Sequence, residues 1–376
     1  MKRIVSLLFA FLVFAYFLPA KPSAEIGVSA SACVLIDADT KAVLFKKNAD
    51  KKMPMASTTK IMTALLCLEN EDKNEEFTVD SKAIRVEGSS MGLIEGDRVT
   101  LKTLAVGMLM LSGNDAANAA AVKMAGSTES FAALMNKRAE AIGMKNTSFE
   151  TPSGLDSKNH YSTAYDMALL GAEAIKNSEF LSICSKSKYS VTFGKTPQKR
   201  TFYNHNRLLK TLDGCIGIKT GFTKKSGRCL VSAVRRNGRT LVCVTLNAPN
   251  DWQDHKNLYD FGFSLYKKEK IDLKLPPLYI VNSQKTKIAP ALFNSCEVYK
   301  REGEKINVRI LMRPFEYAPV YEGDVVGSVA IEANGTEIFE SELVASESAH
   351  AKNEYTQSRK LTPFERLVEW IKGLFK

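Results

Sequence analysis

The chain has few of the residues on which metal sites and disulfide frameworks depend. Its 376 residues include only four histidines and seven cysteines. The histidines lack the spacing of a zinc ligand set, and the cysteines are odd in number without a C-x-x-C pair. We therefore expect no metal ion and no other cofactor, and we expect most cysteines to be small buried residues. The histidines are His160, His205, His255 and His350.

The N-terminal apolar run is too short for a membrane-spanning helix. Residues 4–18 are apolar and follow Lys2 and Arg3, but a span needs roughly 20 residues. A positive start, a short apolar segment and small residues up to Ala24 are typical of an export signal. We predict a signal peptide at residues 1–24 and a protein that works outside the cytoplasm. An uncleaved N-terminal anchor is the alternative.

Acidic residues are in the minority. Without residues 1–24 the chain keeps 49 basic and 41 acidic residues, a net charge of +8. The basic residues are scattered, and no aromatic-rich basic motif accompanies them, so a nucleic-acid partner is not predicted. A cell wall or an anionic lipid surface suits the charge of an exported protein better.

Residues 25–268 alternate strand-like and helix-like segments, which predicts a mixed α/β domain. Asn237-Gly238 is typical of a two-residue hairpin turn. Its register would place Cys229 and Cys243 on opposite faces of the sheet, which argues against a disulfide between them. We predict a strand pair around a turn at 39–41, helices at 57–68, 101–110, 115–124, 128–142 and 165–176, and hairpin strands at 230–234 and 240–246.

The remaining residues change character after Pro276-Pro277. Period-two alternation and an Asn334-Gly335 turn predict a small all-β domain at 271–346, followed by a polar linker at 347–361. Residues 362–376 have a T-x-x-E capping box and one apolar face, as in an amphipathic helix. This helix would be roughly 21 Å long, too short for a ~30 Å hydrocarbon core. We expect it to lie on the membrane surface with Trp370 at the interface; docking on the protein itself is the alternative.

Three short motifs point to a serine enzyme. They are Ser57-Thr58-Thr59-Lys60 (S-x-x-K), Ser112-Gly113-Asn114 (S-x-N) and Lys219-Thr220-Gly221 (K-T-G). Each is common alone, but their order and their predicted places at a helix start, an inter-helix loop and a strand make chance occurrence improbable.

The first motif pairs a nucleophile with a base. The i, i+3 spacing puts Ser57 and Lys60 on one face of a helix, where Lys60 can take the hydroxyl proton. Lys60 must be neutral for this, which burial or a like charge such as Lys219 would favour. The backbone N–H of Ser57, at a helix start, can face an oxyanion.

The other two motifs supply groups for proton transfer and binding. Ser112 can relay a proton, and the Asn114 amide can grip a substrate amide. Gly221 leaves room for a peptide at the strand edge. Charge and hydroxyl groups that could hold a carboxylate come from Lys219, Thr220 and Thr223.

With these motifs the chain resembles the low-molecular-weight D,D-carboxypeptidases of the penicillin-binding protein family. Further similarity lies around the first two motifs, in Pro152-Ser153-Gly154-Leu155-Asp156, and in Gly221-Phe222-Thr223. The resemblance implies a β-lactamase-like catalytic domain with an antiparallel sheet flanked by helices, a small all-β domain and a C-terminal amphipathic anchor.

The resemblance also implies a reaction and a location. Peptidoglycan stem peptides ending in D-Ala-D-Ala would acylate Ser57, with an oxyanion hole from the N–H groups of Ser57 and Phe222, and penicillin would inhibit covalently. The enzyme would act at the outer face of the cytoplasmic membrane, in the cell wall or in the periplasmic space.

The chain departs from the family pattern at two places, and three competing functions share parts of the pattern. Cys215-Ile216-Gly217 lengthens the approach to Lys219, and His205 stands where many relatives have another basic residue. No arginine for the substrate carboxylate can be assigned. A class A β-lactamase would need a glutamate in an E-x-x-L-N pattern, which does not occur between Asn114 and Lys219. A D,D-endopeptidase that cuts cross-links and an inactive wall-binding scaffold are the two remaining competitors.

Overall fold

The computed structural model describes residues 26–352 together with Arg366 and Trp370. The chain divides into two compact units, Met1–Lys267 and Lys268–Lys376. In this described part, no helix has both the length and the apolar character needed to cross a bilayer.

A five-stranded antiparallel sheet forms the centre of the first unit. Its strands in spatial order are β2 (Val43–Lys47), β1 (Ala32–Asp37), β9 (Arg239–Leu246), β8 (Gly227–Arg236) and β7 (Cys215–Thr223). Its inner strands are apolar on both faces because helices cover them, and β9 is buried at every position. The strands of this unit are β1 (Ala32–Asp37), β2 (Val43–Lys47), β3 (Phe77–Thr78), β4 (Arg98–Val99), β5 (Lys188–Phe193), β6 (Gln198–Tyr203), β7 (Cys215–Thr223), β8 (Gly227–Arg236) and β9 (Arg239–Leu246).

Helices pack against this sheet. The most deeply buried is α1, which follows a 3-10 turn at Ala56–Thr59 and exposes little more than its last residue. Capping residues fix several starts: the Thr100 side chain accepts a hydrogen bond from the Thr103 N–H at the start of α2. The helices are α1 (Lys60–Glu69), α2 (Leu101–Leu111), α3 (Asn114–Ala125), α4 (Thr128–Ile142), α5 (Ala164–Ala174), α6 (Ser178–Cys184), α7 (Leu208–Thr211) and α8 (Asp251–Ser264).

The predicted hairpin between β8 and β9 is confirmed. Leu230 pairs with Thr245 and Ser232 pairs with Cys243, so Cys229 and Cys243 lie on opposite faces. All seven cysteines are free thiols. The strand pair β1–β2 and helices α1 to α5 also lie where the sequence predicts them, within a few residues.

The described part of the second unit, up to Lys352, consists of strands and connecting loops. Its core contains Leu278, Val329 and Leu343, and the Asn334-Gly335 turn joins two long strands. Residues 353–376, which include the predicted amphipathic helix, are outside the described residues apart from Arg366 and Trp370. The strands are β10 (Tyr266–Lys270), β11 (Leu278–Val281), β12 (Lys287–Ile288), β13 (Pro290–Leu292), β14 (Glu297–Arg301), β15 (Ile306–Met312), β16 (Phe315–Tyr317), β17 (Val325–Ala333) and β18 (Thr336–Ala345).

Candidate active site

Ser57 lies in the 3-10 turn that leads into α1. The turn is held by Met55, whose carbonyl oxygen accepts hydrogen bonds from both the N–H and the hydroxyl of Thr58. The first N–H groups of a helix have no acceptor within it, so the N–H of Ser57 is available to a ligand. Sequence and fold therefore present a hydroxyl and a backbone donor from one residue.

Lys60 is fully buried, and its Nζ has three oxygen neighbours. It lies 3.0 Å from Ser57 Oγ, 2.7 Å from Asn114 Oδ1 and 2.5 Å from the carbonyl oxygen of Ser153. The last two oxygens carry no hydrogen and can only accept. A neutral amine that donates its two hydrogens to them directs its lone pair at the Ser57 hydroxyl. The geometry is therefore that of a base bonded to its proton donor.

The electrostatic surroundings favour the neutral amine. Burial, and then the charge of Lys219, hold the pKa of Lys60 well below its usual value of 10.5, against an opposing effect of Asp115. Burial lowers the pKa of Lys219 to about 7. Lys219 can thus lose its proton near neutral pH, and the direction of the shift at Lys60 favours its neutral amine.

The S-x-N motif joins helices α2 and α3. Ser112 ends α2 in the left-handed region at φ 63°, and its side chain lines the same cleft as Ser57. Asn114 is buried, and its Nδ2 donates to the Glu87 carbonyl oxygen at 2.6 Å. One Nδ2 hydrogen is left for a substrate carbonyl, while Oδ1 is occupied by Lys60. Asn114 therefore fixes the position of Lys60 Nζ through Oδ1 and keeps one Nδ2 hydrogen free of protein acceptors among the described residues.

Strand β7 brings the K-T-G motif against the turn of Ser57. A Cβ added at Gly221 would come 3.0 Å from the backbone nitrogens of Ser57 and Thr58, closer than side chains normally pack. Lys219 Nζ donates to the Thr220 carbonyl oxygen at 2.8 Å. The hydroxyl of Thr223 is within hydrogen-bond distance of Asp156 and Ser226, so its one donor has partners in the protein.

The three motifs line one open cleft with a volume of about 370 Å³. Phe222 is exposed at its edge. The sequence-predicted site residues that line it directly are Ser57, Ser112, Thr220, Gly221 and Phe222.

A positively charged wall of the cleft was not predicted. Its charges come from Arg207 and Arg228; His205, whose pKa is lowered by burial and then by the charge of Lys219, lines the same wall. Arg228 forms a two-pronged ion pair with Asp251, with Nη2 at 2.8 and 2.9 Å from the two carboxylate oxygens and Nε at 3.0 Å. Its Nη1 has no bond to any described residue, so two donors remain. Asp251 begins α8, a helix the sequence did not reveal, and this is why Arg228 could not be assigned.

The Pro152-Ser153-Gly154 stretch is a second feature whose role was missed. Ser153 contacts Lys60 through its backbone, which no side-chain pattern can signal. Gly154 has φ 84°, and a Cβ there would come 2.0 Å from the Ala56 carbonyl oxygen. Only glycine fits this approach to the turn of Ser57.

His160 stabilises the same turn through a hydrogen bond to Thr59. Its Nδ1 accepts from the backbone N–H of Glu150 at 3.0 Å, so its Nε2 carries the hydrogen and donates to Thr59 Oγ1 at 2.8 Å. Burial lowers the pKa of His160 to about 4, which keeps this neutral form at physiological pH.

The inserted residues Cys215-Ile216-Gly217 alter the strand pairing only at the start of β7. The pairing of β7 with β8 shifts by one residue between Cys215 and Gly217, which is a β-bulge. The register from Ile218 onward is regular, so Lys219 and Thr220 keep their places opposite Val231 and Leu230.

Known proteins share this architecture. Residues 19–250 match the family model described as D-alanyl-D-alanine carboxypeptidase. The chain is 31% identical to D-alanyl-D-alanine carboxypeptidase DacF of Bacillus subtilis over 92% of this chain and 94% of the relative. It is 33% identical to DacC of Escherichia coli over 86% and 84%. The crystal structure of DacD from Francisella tularensis superposes with a TM-score of 0.60 and 26% identity, covering 88% of this chain and 95% of that one.

The buried lysine beside a serine, the S-x-N and K-T-G motifs in one cleft, and a family match over most of the chain lead to one conclusion. The chain belongs to the D-alanyl-D-alanine carboxypeptidase family.

Proposed function

We propose that Ser57 is the nucleophile of this D-alanyl-D-alanine carboxypeptidase and that Lys60 is its general base. The observation that carries the proposal is the bond set of Lys60 Nζ, in which two pure acceptors and one hydroxyl surround a fully buried amine. A neutral Lys60 in this setting can accept a proton only from Ser57.

Acylation then proceeds by attack on the substrate amide and loss of the terminal D-alanine. Ser57 Oγ forms a bond to the carbonyl carbon of the penultimate D-alanine, and its proton passes to Lys60 Nζ. The negative charge on the former carbonyl oxygen is met by the N–H groups of Ser57 and Phe222. The C–N bond breaks, and the leaving amine of the terminal D-alanine takes up a proton from Lys60 through the Ser112 hydroxyl. Water next cleaves the ester, returning Ser57 and releasing the shortened stem peptide.

The terminal carboxylate needs positive charge and donors at the other end of the cleft. Lys219 and the Thr220 hydroxyl flank this end, with Thr223 and Gly221 further along β7. Arg228 adds free Nη1 donors, and the Asp251 carboxylate holds its guanidinium in place. We assign the carboxylate to the group formed by Lys219, Thr220 and Arg228.

A β-lactam places its strained amide where the substrate amide lies. Attack by Ser57 opens the ring, but the leaving nitrogen stays tethered to the acyl group and the ester persists. Penicillin therefore acts as a covalent inhibitor of this enzyme class, and we place its adduct on Ser57.

The family acts on peptidoglycan, so the enzyme works outside the cytoplasm. We further propose a signal peptide at residues 1–24, a catalytic domain at 25–268, an all-β domain at 271–346, a linker at 347–361 and a membrane-surface anchor at 362–376. Sedimentation with phospholipid vesicles tests the anchor: the chain without residues 362–376 should stay in the supernatant, and equal sedimentation of both forms would contradict it.

The catalytic proposal is tested by release of D-alanine from a stem pentapeptide ending in D-Ala-D-Ala. We expect release by the wild type and none above background by Ser57→Ala. Ser182→Ala, a matched change at an exposed serine of α6, should keep full activity. Release by Ser57→Ala at the wild-type rate would refute the assignment.

A further inference from the structure

The hairpin β5–β6 lies in a segment with an unusual charge distribution. Residues 184–212 contain seven lysines and arginines and no aspartate or glutamate. The protein as a whole has a much more even balance, with 52 basic and 41 acidic residues. This segment therefore carries a local positive field that the rest of the sequence does not.

The two faces of the hairpin differ. Phe193 and Phe202 are buried in the core of the first unit, with Tyr189 and Val191 packed against it. The opposite face points outward and carries lysines, hydroxyls and one aromatic ring. The outward residues form three cross-strand pairs, Lys188 with Tyr203, Ser190 with Thr201 and Thr192 with Lys199, all of them exposed.

Strand β6 of the hairpin lies close in the chain to residues of the active-site cleft. Strand β6 ends at Tyr203, and His205 and Arg207, which line the cleft, follow within four residues. On the inward face of the hairpin, Arg200 Nη1 donates to the Gly92 carbonyl oxygen at 3.3 Å. Gly92 belongs to the loop that Asp115 holds beside the S-x-N motif. The hairpin thus leads along the chain into the wall of the cleft.

The positive charge of the outward face is not neutralised by the protein. Among the residues that the structure describes, Lys188 and Lys199 form no ion pair. Asp97, a carboxylate in contact with the hairpin, is buried and accepts from the backbone N–H groups of Ile94 and Lys195. By contrast, Lys73 and Lys102 share Glu179.

We propose that the outward face of β5–β6 binds the peptidoglycan strand whose stem peptide occupies the cleft. Lys188 and Lys199 would pair with carboxylates of neighbouring stem peptides. The Tyr203 ring, which is 64% exposed, would stack on a sugar ring, and the row of hydroxyls would bond to the glycan. This rests on the proposed function, because it assigns the polymer that carries the substrate of that same site.

The test compares a short substrate with a polymeric one. The double variant Lys188→Glu/Lys199→Glu should hydrolyse a soluble tripeptide ending in D-Ala-D-Ala with kcat/KM within about twofold of the wild type, because neither residue lines the cleft. On isolated peptidoglycan, D-alanine release should fall about five- to tenfold, as expected for the loss of two favourable charge contacts. The difference should shrink in 0.5 M salt through screening. Tyr203→Ser should lower binding to peptidoglycan without this salt dependence.

Matched controls separate the outcomes. Lys137→Glu/Lys145→Glu makes the same charge change at exposed lysines on and after α4 and should leave both activities unchanged. An equal loss on both substrates, no loss on peptidoglycan, or a loss confined to binding of anionic phospholipid vesicles would overturn the proposal. If the glutamate variant does not fold, Lys188→Gln/Lys199→Gln serves in its place. Failure of the wild type on the tripeptide would instead refute the proposed function.

Discussion

Replacement of Asn114 by aspartate tests the charge state of Lys60 with almost no change in volume. Asn114 Oδ1 lies 2.7 Å from Lys60 Nζ, and both groups are buried. A carboxylate at this distance would stabilise the ammonium form and raise the pKa of Lys60. Lys60 would then hold its proton at neutral pH and could not accept one from Ser57.

The expected magnitude follows from the role of the base. General base catalysis contributes about 10²- to 10⁴-fold, so acylation at pH 7 should fall by about 100-fold or more. Because the active form of Lys60 is the deprotonated one, the rise of the rate with pH should move to higher pH in Asn114→Asp. The variant also loses the bond to the Glu87 carbonyl oxygen, at a cost of about 1–3 kcal/mol in the free energy of unfolding.

The assay is the rate of acylation by a fluorescent penicillin between pH 5 and 11. Asn257→Asp, the same change at an exposed position of α8, should have the wild-type profile. A rate for Asn114→Asp that is uniformly reduced, with the wild-type dependence on pH, would show that lost geometry and not protonation of Lys60 is responsible. An unchanged rate would refute the proposed base.

Three further predictions concern buried residues of the first unit. Gly154→Ala forces a Cβ against the Ala56 carbonyl oxygen, so acylation should fall at least tenfold and the melting temperature should drop; wild-type rates would mean that the turn adapts freely. Lys219→Met should raise the free energy of unfolding by about 1–3 kcal/mol at pH 6, although it should impair turnover. The gain in stability arises because the lowered pKa of Lys219 makes its burial costly below its usual pKa of 10.5. In urea titrations this gain should shrink as the pH approaches 10.5. Burial lowers the pKa of His160 to about 4 and that of His255 to about 3, so the unfolded chain takes up protons below pH 6.5 that the folded protein excludes; each should reduce the free energy of unfolding by about 1.4 kcal/mol per pH unit on acidification, and a flat dependence between pH 6.5 and 4.5 would contradict this.

The parts of the fold that the sequence predicted have strong local signals. Helix α4 runs from Thr128 to Ile142, as expected, because Ser127 caps it and Gly143 ends it in a left-handed conformation. The β8–β9 hairpin follows from its Asn-Gly turn. Helix α8 was missed because its residues are mostly polar or aromatic without a clear apolar period. The strands of hairpin β5–β6 were not predicted, although Tyr189, Val191 and Phe193 alternate with polar residues in β5; the first four residues of β6, Gln198 to Thr201, are all polar and hide the second strand.

The residues of the candidate site also divide into those that the sequence predicts and those that only the fold reveals. Ser57, Lys60, Asn114 and Lys219 were predicted because their roles belong to side chains in recognisable motifs. The contact of the Ser153 carbonyl oxygen with Lys60 could not be predicted, because every residue has a backbone carbonyl and only the fold decides where it points. Arg228 could not be predicted because its position depends on the ion pair with Asp251, which lies on a helix that was itself not predicted.

The most direct test of the proposed mechanism is to locate the penicillin adduct. After incubation with benzylpenicillin, the intact protein should gain the mass of one penicilloyl group, and tryptic digestion should place it on the fragment of residues 53–60, which contains Ser57. Lys60→Met should acquire no adduct on the same time scale while keeping the wild-type circular dichroism spectrum. An adduct on a different fragment, or a Lys60→Met variant acylated as fast as the wild type, would contradict the mechanism.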